Sequence, residues 1–335
     1  MPADYAEKIK EEISRFKTMA QVHDLPAIFH YCAEKYWLPK FKALGFEDVN
    51  DVYLKYIARL YPERSGPLKI ISIGAGNADL EINLGTLLRR QGLEDWEIHC
   101  LDVNPHMLER GRAAARATGM AAQFSFLPTD IQKWEPSGGD FDVVLASHSL
   151  HHFMELELLF EKIHHALKPR GYFLTNDMIG RNGHMRWPEA LAVLEVLWQT
   201  LDDKYKYNHH SRQVDYRFVN MDCSTAGFEG IRAQDILPLC VQYFSFDLFL
   251  GFGNVVDIFV DRVYGHNFDP ASEKDRYIID VAAALDEFFI DNGFYKPTHM
   301  VAAMMRRGAA ATVRCHKQLT PEFCIYPATL STPTE

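Results

Sequence analysis

Nowhere in these 335 residues is there an uninterrupted apolar run near the roughly 18 residues that a membrane-crossing helix needs, so no helical span is predicted. Basic charge is also short. Subtracting 45 Asp and Glu from 35 Lys and Arg leaves a formal charge of -10, a mean field that repels polyanions and makes nucleic acid a poor partner. Fifteen His soften that acidity only slightly near neutral pH. Cysteine is sparse and scattered over positions 32, 100, 223, 240, 315 and 324, without a C-x-x-C spacing or a short Cys/His cluster of the kind that encloses zinc. A reduced, intracellular chain is expected. The opening MPADYAEKIKEEISRF is charged and amphipathic and lacks the apolar run and small-residue cleavage site of a secretion signal, so a cytoplasmic location is predicted. There is no internal repeat. A composition of 47% hydrophobic and 24% charged residues excludes a disordered or fibrous chain. The length fits about two domains, or one large domain with additions.

From Tyr5 to about Tyr61 apolar residues recur at three and four, as at Ile9, Ile13, Phe16 and Met19, which predicts helices. At Pro67 the period changes. KIISIG (69–74) is a short β-branched run closed by glycine, followed by a helical stretch from Ala78 to Gln91. The alternation continues through strands WEIHCLDV, FSFLPTD, FDVVLASH and GYFLTNDM, with helices between them. Apolar strands separated by helices require crossover connections, hence a parallel sheet buried on both faces, with ligands at the strands' carboxyl ends. Later segments read as helix (RAQDILPLCVQYF), strand (FSFDLFLGFG), helix (SEKDRYIIDVAAALDEFF) and a last strand, THMVAAMMRR (298–307). The Pro/Thr-rich end reads as a loose tail.

Chemistry is therefore sought at the strand ends. Gly74-Ala75-Gly76 lets a ligand approach the backbone ahead of a helix N-terminus, or serves only a tight turn. Asp102, at the tip of the second strand, can accept from two vicinal ribose hydroxyls. Asp130 could accept from an adenine amine while Ile131 packs on the ring; Asp130 could equally cap a helix. Ser147, His148, Ser149, His151 and His152 follow the fourth strand. A nicotinamide dinucleotide site would also want a glycine turn and an acid, but G-x-G-x-x-G requires glycine at 79, where this chain has Asp, an anion unsuited to a pyrophosphate.

In that order, ISIGAGNAD, LDVNPHML, PTD, FDVVLASHSLHHF and LKPRGYFL resemble the class I S-adenosylmethionine-dependent methyltransferases of the small-molecule group, over about residues 67–180. The resemblance implies an α/β, doubly wound, seven-stranded, mostly parallel sheet whose final strand is antiparallel, with S-adenosyl-L-methionine as cofactor. Gly74, Ala75 and Gly76 would then border its methionine and ribose portions and Asp102 would hold the ribose. Val103, Met107 and Ile131 would touch the adenine, Asp130 its amine, and Ser147 would lie beside the methionine moiety. Two departures stand out. The acid that often precedes the first glycine by two is Ser72, and the third small position is Ala78.

Methyl transfer is an in-line displacement that needs orientation and exclusion of water, with a base only where the acceptor loses a proton. His148, His152 and Asp177 are the catalytic candidates; the alternative for the adjacent His151 and His152 is that they point apart and one of them packs structurally. H-S-L-H-H lacks the Glu of H-E-x-x-H, the His164/His165 and His209/His210 pairs have no third ligand at recognisable spacing, and no metal is expected. Asn176, Arg181, His184, Arg186, Trp187 and Tyr216 are the acceptor candidates, Asn176 at the end of strand five and the next four in the loop after it, which could instead be solvated. The 204–230 stretch reads as a lid or as the contact of a homodimer. The resulting division is an N-terminal helical segment (1–66), the cofactor core (67–180), an acceptor-binding insertion with closing strands (181–310) and a tail (311–335). The expected activity is methylation of an oxygen or nitrogen of a small metabolite, with a protein or peptide methyltransferase, or a non-catalytic cofactor-binding regulator, as alternatives.

Overall fold

The computed structural model describes residues 25–225, 227–309 and 312–327, together with positions 7, 9, 10, 13 and 14. Phe16 and Met19 of the expected first helix lie outside the described residues. β1 (Leu68–Ile73), β2 (Trp96–Asp102), β3 (Phe124–Pro128), β4 (Phe141–Ser147) and β5 (Leu167–Met178) are joined in parallel in the order β3-β2-β1-β4-β5. A short hairpin, β6 (Tyr207–Asn208) with β7 (Gln213–Val214), stands apart. β8 (Phe244–Phe252) and β9 (His299–Arg306) extend the sheet beyond β5, with β9 antiparallel to both of its neighbours. An eighth strand, β10 (Arg314–Cys315), pairs with the edge of β8.

Residues alternate across each strand because successive side chains leave opposite faces. Ile71, Ile73, Val144, Ala146 and Phe173 join one apolar cluster, while Ile70, Val143, Leu145 and Leu174 join the other. Both faces are covered, as a parallel sheet requires. The second cluster is completed by α3 (Val49–Leu60), α4 (Asp79–Arg90) and α5 (Pro105–Ala117). Before them α1 (Ala27–Cys32) runs through a π-helical turn at 33–37 into α2 (Leu38–Ala43). On the opposite face pack α6 (Leu156–Ala166), α7 (Pro188–Thr200), α8 (Ala233–Tyr243), α9 (Val255–Val260) and α10 (Glu273–Asp291). The π turn gathers Tyr31, Lys35 and Tyr36 onto one carboxylate of α10, Asp280, at 2.7–2.8 Å, which ties this N-terminal helical unit to the later half of the chain.

The expected loose tail is corrected over residues 312–327. Besides β10, a short helix α11 (Pro321–Cys324) follows, and Leu319, Cys324 and Ile325 are buried in the sheet's larger apolar cluster. Each such aliphatic side chain withdrawn from water contributes roughly 1.5–3 kcal/mol, enough to hold a Pro/Thr-rich segment down.

The strand order reverses between β1 and β4, which both leave their carboxyl ends free there. A crevice opens at that point.

Candidate functional site

A cavity of about 280 Å³ lies over the carboxyl ends of β1, β2 and β4. Gly74, Ala75, Gly76, Asp102, Val103, Met107, Asp130, Ile131 and Ser147 all line it, as do Ile9, Asp79, Glu81, His148, His152, Phe153 and Phe228. The turn after β1 is folded by Gly74 and Ala75 donating N–H to the Leu101 carbonyl. Gly74 has φ +71, and a Cβ there would meet the Cβ of Ser149 at 2.6 Å, so glycine is demanded by conformation and by space. Asp102 accepts from the N–H of Gly76 (2.8 Å) and of Asn104 (2.7 Å), which aims the carboxylate along the crevice. Burial pushes its pKa up, partly offset by those backbone donors. Asp130 accepts from the N–H of Gln132 at 3.1 Å, the capping geometry, while also facing the cavity.

The missing acid of β1 is supplied from α4. Ser72 donates its hydroxyl to Glu81 Oε1 at 2.5 Å, and Glu81 is 2% exposed with Oε2 buried and without a partner among the described residues. Burial lifts its pKa to about 7, against the opposing hydrogen bond from Ser72. An orphaned carboxylate oxygen on a cavity wall is costly unless a cation or donor arrives. The methionine ammonium of the cofactor is such a cation, and the residues present therefore fit S-adenosylmethionine. Sequence reading overlooked Glu81, although a signal existed: it shares the buried i, i+3, i+4, i+7 stripe of α4 with Leu84, Gly85 and Leu88, where a charge is out of place.

The segment after β4 is set by Asp177. Its carboxylate is fully buried and accepts from the N–H groups of Ser149 (2.9 Å), Leu150 (2.7 Å) and Met178 (2.8 Å) and meets His151 Nδ1 at 2.5 Å. Burial opposes its ionisation, but the His151 charge and these donors outweigh it and hold the pKa near about 2. The reading of Asp177 as a group acting on the acceptor is corrected: it does not line the cavity, and both its oxygens are engaged in holding the 149–151 turn. Asn176 likewise donates to the His148 ring at 3.0 Å and orients that side chain instead of lining the cavity. His148 itself sits at φ +50, in the left-handed region.

Behind His152 stands a group that sequence reading did not assemble. Glu229 Oε1 lies 2.8 Å from His184 Nε2 and 3.5 Å from His151 Nε2, and Glu229 Oε2 lies 3.9 Å from His152 Nε2. For His151, burial disfavours the charge, yet Asp177 and Glu229 raise its pKa to about 10; burial and the charge of His151 lower that of His152 to about 4. His184 was expected at the acceptor, and it joins this cluster beside the cavity instead. Nothing local in the sequence announces Glu229, which arrives from an irregular loop.

The remaining acceptor candidates lie elsewhere. Arg186 is buried and donates to the Asn254 carbonyl at 2.8 and 3.1 Å and to that of His184 at 2.8 Å, a staple between loop and α9 with no nitrogen turned to the cavity. Trp187 stacks on Tyr326 with ring centroids 3.8 Å apart, and the Arg181 guanidinium covers the Trp187 ring. Tyr216 is 71% exposed. In each case a neighbour distant in sequence captures the side chain or the backbone turns it outward.

A family model described as a methyltransferase domain matches residues 71–173. The ubiquinone/menaquinone biosynthesis C-methyltransferase UbiE of Blochmanniella pennsylvanica is 29% identical over 108 residues, 32% of this chain and 41% of that protein. UbiE of Azotobacter vinelandii is 26% identical over 214 residues, 61% of this chain and 81% of that one. The non-reducing polyketide synthase pks11 of Talaromyces marneffei is 27% identical over 150 residues, 44% of this chain and 6% of the synthase. The chain thus spans less than half the length of the first two proteins, counting the first UbiE and the synthase. A solved S-adenosylmethionine-dependent methyltransferase from Mesorhizobium loti, 17% identical, superposes with a TM-score of 0.41 over 77% of this chain and 98% of that one, too distant to bear on function.

Proposed function

We propose that this chain, whose residues 71–173 match a methyltransferase domain, is a class I S-adenosylmethionine-dependent methyltransferase and transfers a methyl group to a small-molecule acceptor bound beside the carboxyl end of β4. The observation that carries the reading is the pairing of Asp102 with the unsatisfied Glu81 oxygen in one cavity. One carboxylate suits a ribose and the other an ammonium, with Gly74–Gly76 between them. When bound, the cofactor supplies an electrophilic methyl on a sulfonium. The protein's part is to hold, orient and dry. Asp102 would grip the ribose hydroxyls, and Val103, Met107, Asp130 and Ile131 the adenine. Ser147 would flank the methionine portion, and Glu81 would anchor its ammonium. Asp79 and Glu81, both in the first turn of α4, place negative charge where a dinucleotide would need donors for its pyrophosphate, which favours the cationic ligand.

On the acceptor side, His148, His152, Phe153 and Phe228 form the facing wall. Aromatic side chains there exclude water from the transfer. A crevice of this size suits a metabolite better than a protein segment or a nucleic acid, and the formal charge of -10 agrees. We read the accepting atom as oxygen or nitrogen; a carbon acceptor is the second reading, favoured by the names of the UbiE relatives. Transfer from methyl-¹³C-labelled S-adenosylmethionine to candidate acceptors distinguishes them, because methyl shifts on oxygen, nitrogen and carbon separate in NMR. Calorimetry tests the cofactor: S-adenosylmethionine should bind and NADH should not. NADH binding in its place, or binding without S-adenosylhomocysteine release across a broad acceptor panel, would overturn the catalytic reading.

A further inference from the structure

We propose that His151, His152, His184 and Glu229 form a site for one divalent transition-metal ion of the zinc, iron(II) or cobalt class, with a fifth position open toward the cavity. Donor atoms of His151, His152 and Glu229 lie within 4.8 Å of one another. The three imidazole Nε2 atoms stand 2.8, 3.5 and 3.9 Å from the Glu229 oxygens. Ligands about 2.0–2.1 Å from one ion are spaced roughly 3 Å apart, close to the two shorter of these separations.

The support around the donors is that of a metal site. His151 uses Nδ1 on Asp177, leaving Nε2 turned to the cluster, and Asp177 is itself fixed by three backbone N–H groups. A carboxylate behind a ligating histidine sets its tautomer and raises its basicity. Three stretches of chain are clamped together to bring the donors in. Gly183 N–H donates to Gly230 O at 2.8 Å, Ile231 N–H to His151 O at 3.0 Å, and Asn182 and Gln234 exchange hydrogen bonds. His184 is held at φ +58, a conformation that a non-glycine residue adopts at a cost. The ring centroids of His151 lie 4.2 Å from those of His152 and 5.3 Å from those of His184, a crowding of three imidazoles that a cation would reconcile.

The donor set also chooses the ion. Magnesium and calcium prefer oxygen, whereas three imidazoles and one carboxylate select zinc, iron, cobalt, nickel or copper. His152 and Phe228, neighbours in this group or next to it, line the cavity, so the open position faces the bound acceptor. Its ligand class is then an acceptor with an acidic oxygen, such as a phenol or an enol, held as the anion. This last step rests on the methyltransferase reading; the binding of the metal does not.

The test uses the full chain, stripped with a chelator and titrated with Co²⁺ and, in competition, Zn²⁺. One Co²⁺ per chain should bind with the visible bands of a four- or five-coordinate ion, and Glu229→Gln and His184→Gln should each weaken it by roughly tenfold to a hundredfold. S-adenosylmethionine binding, measured alongside, should persist in both variants. Unchanged Co²⁺ affinity in variants that still bind the cofactor overturns the site, as does the absence of the bands in the parent chain. X-ray absorption of the parent Co²⁺ complex should show a first shell with imidazole nitrogens; an all-oxygen shell overturns the proposal even if the variants fail to fold. Loss of cofactor binding in the parent chain with the Co²⁺ site intact would instead overturn the proposed function.

Discussion

The two walls of the crevice are built on opposite plans. On the cofactor side, Gly74, Asp102, Asp130 and Ser147 each sit at or just beyond the end of a strand, so each is placed by local alternation and a tight turn. On the acceptor side, the groups that meet are His151, His152, His184 and Glu229, which come from three separate stretches and are brought together by backbone hydrogen bonds between loops. A strand end needs only its own sheet to be positioned. A loop needs every neighbour that clamps it, so its side chains follow the tertiary fold. The behaviour of Arg186 makes the point: a guanidinium in a polar loop reads as a ligand for a carboxylate, yet here it spends its donors on carbonyls of its own chain.

That contrast can be broken at four positions. Asp177→Asn should have the largest effect on stability, because it removes the nearer of the two counter-charges of buried His151; removing one partner of a buried pair costs roughly 3–5 kcal/mol, readable by chemical denaturation. A loss under 1 kcal/mol or so would mean the acceptor-side loops do not depend on this carboxylate. Next, Asp102→Ala should weaken S-adenosylmethionine by roughly 1.5–3 kcal/mol while the fold holds, as expected on losing charge-assisted hydrogen bonds. An unaltered dissociation constant would move the ribose elsewhere.

Glu81→Gln sharpens the comparison through pH. In the free protein Glu81 titrates near about 7, so below that pH it is protonated and must shed its proton to receive an ammonium. Cofactor affinity should therefore fall as pH drops below neutrality, by up to about tenfold per unit, and that slope should vanish in Glu81→Gln, which binds more weakly by roughly 1–2 kcal/mol at high pH. A slope that persists in the variant assigns the proton to another group. Tyr216→Ala should change least: the side chain is exposed, and an effect within about 0.5 kcal/mol on stability, with unchanged methyl transfer, is expected. A marked rise in KM would restore Tyr216 to the acceptor site.

What the amino-acid order determined by itself is the part that repeats a short physical rule. Short apolar runs separated by helical periods predict a parallel sheet, glycines at the turn after the first strand mark the close approach, and an acid at a strand tip reads as a ribose partner. The seven long or central strands and the lining of the cofactor wall were legible on those grounds. Tertiary structure alone decided the rest. It seated β10 and the apolar residues of 319–325 on the sheet edge, where burial outweighed a tail-like composition. It turned Asp177 from a prospective reactant into a buried bracket, and it drew Glu229 against three histidines. Those outcomes depend on contacts between residues far apart in sequence, whose energies arise only once the chain has closed around them.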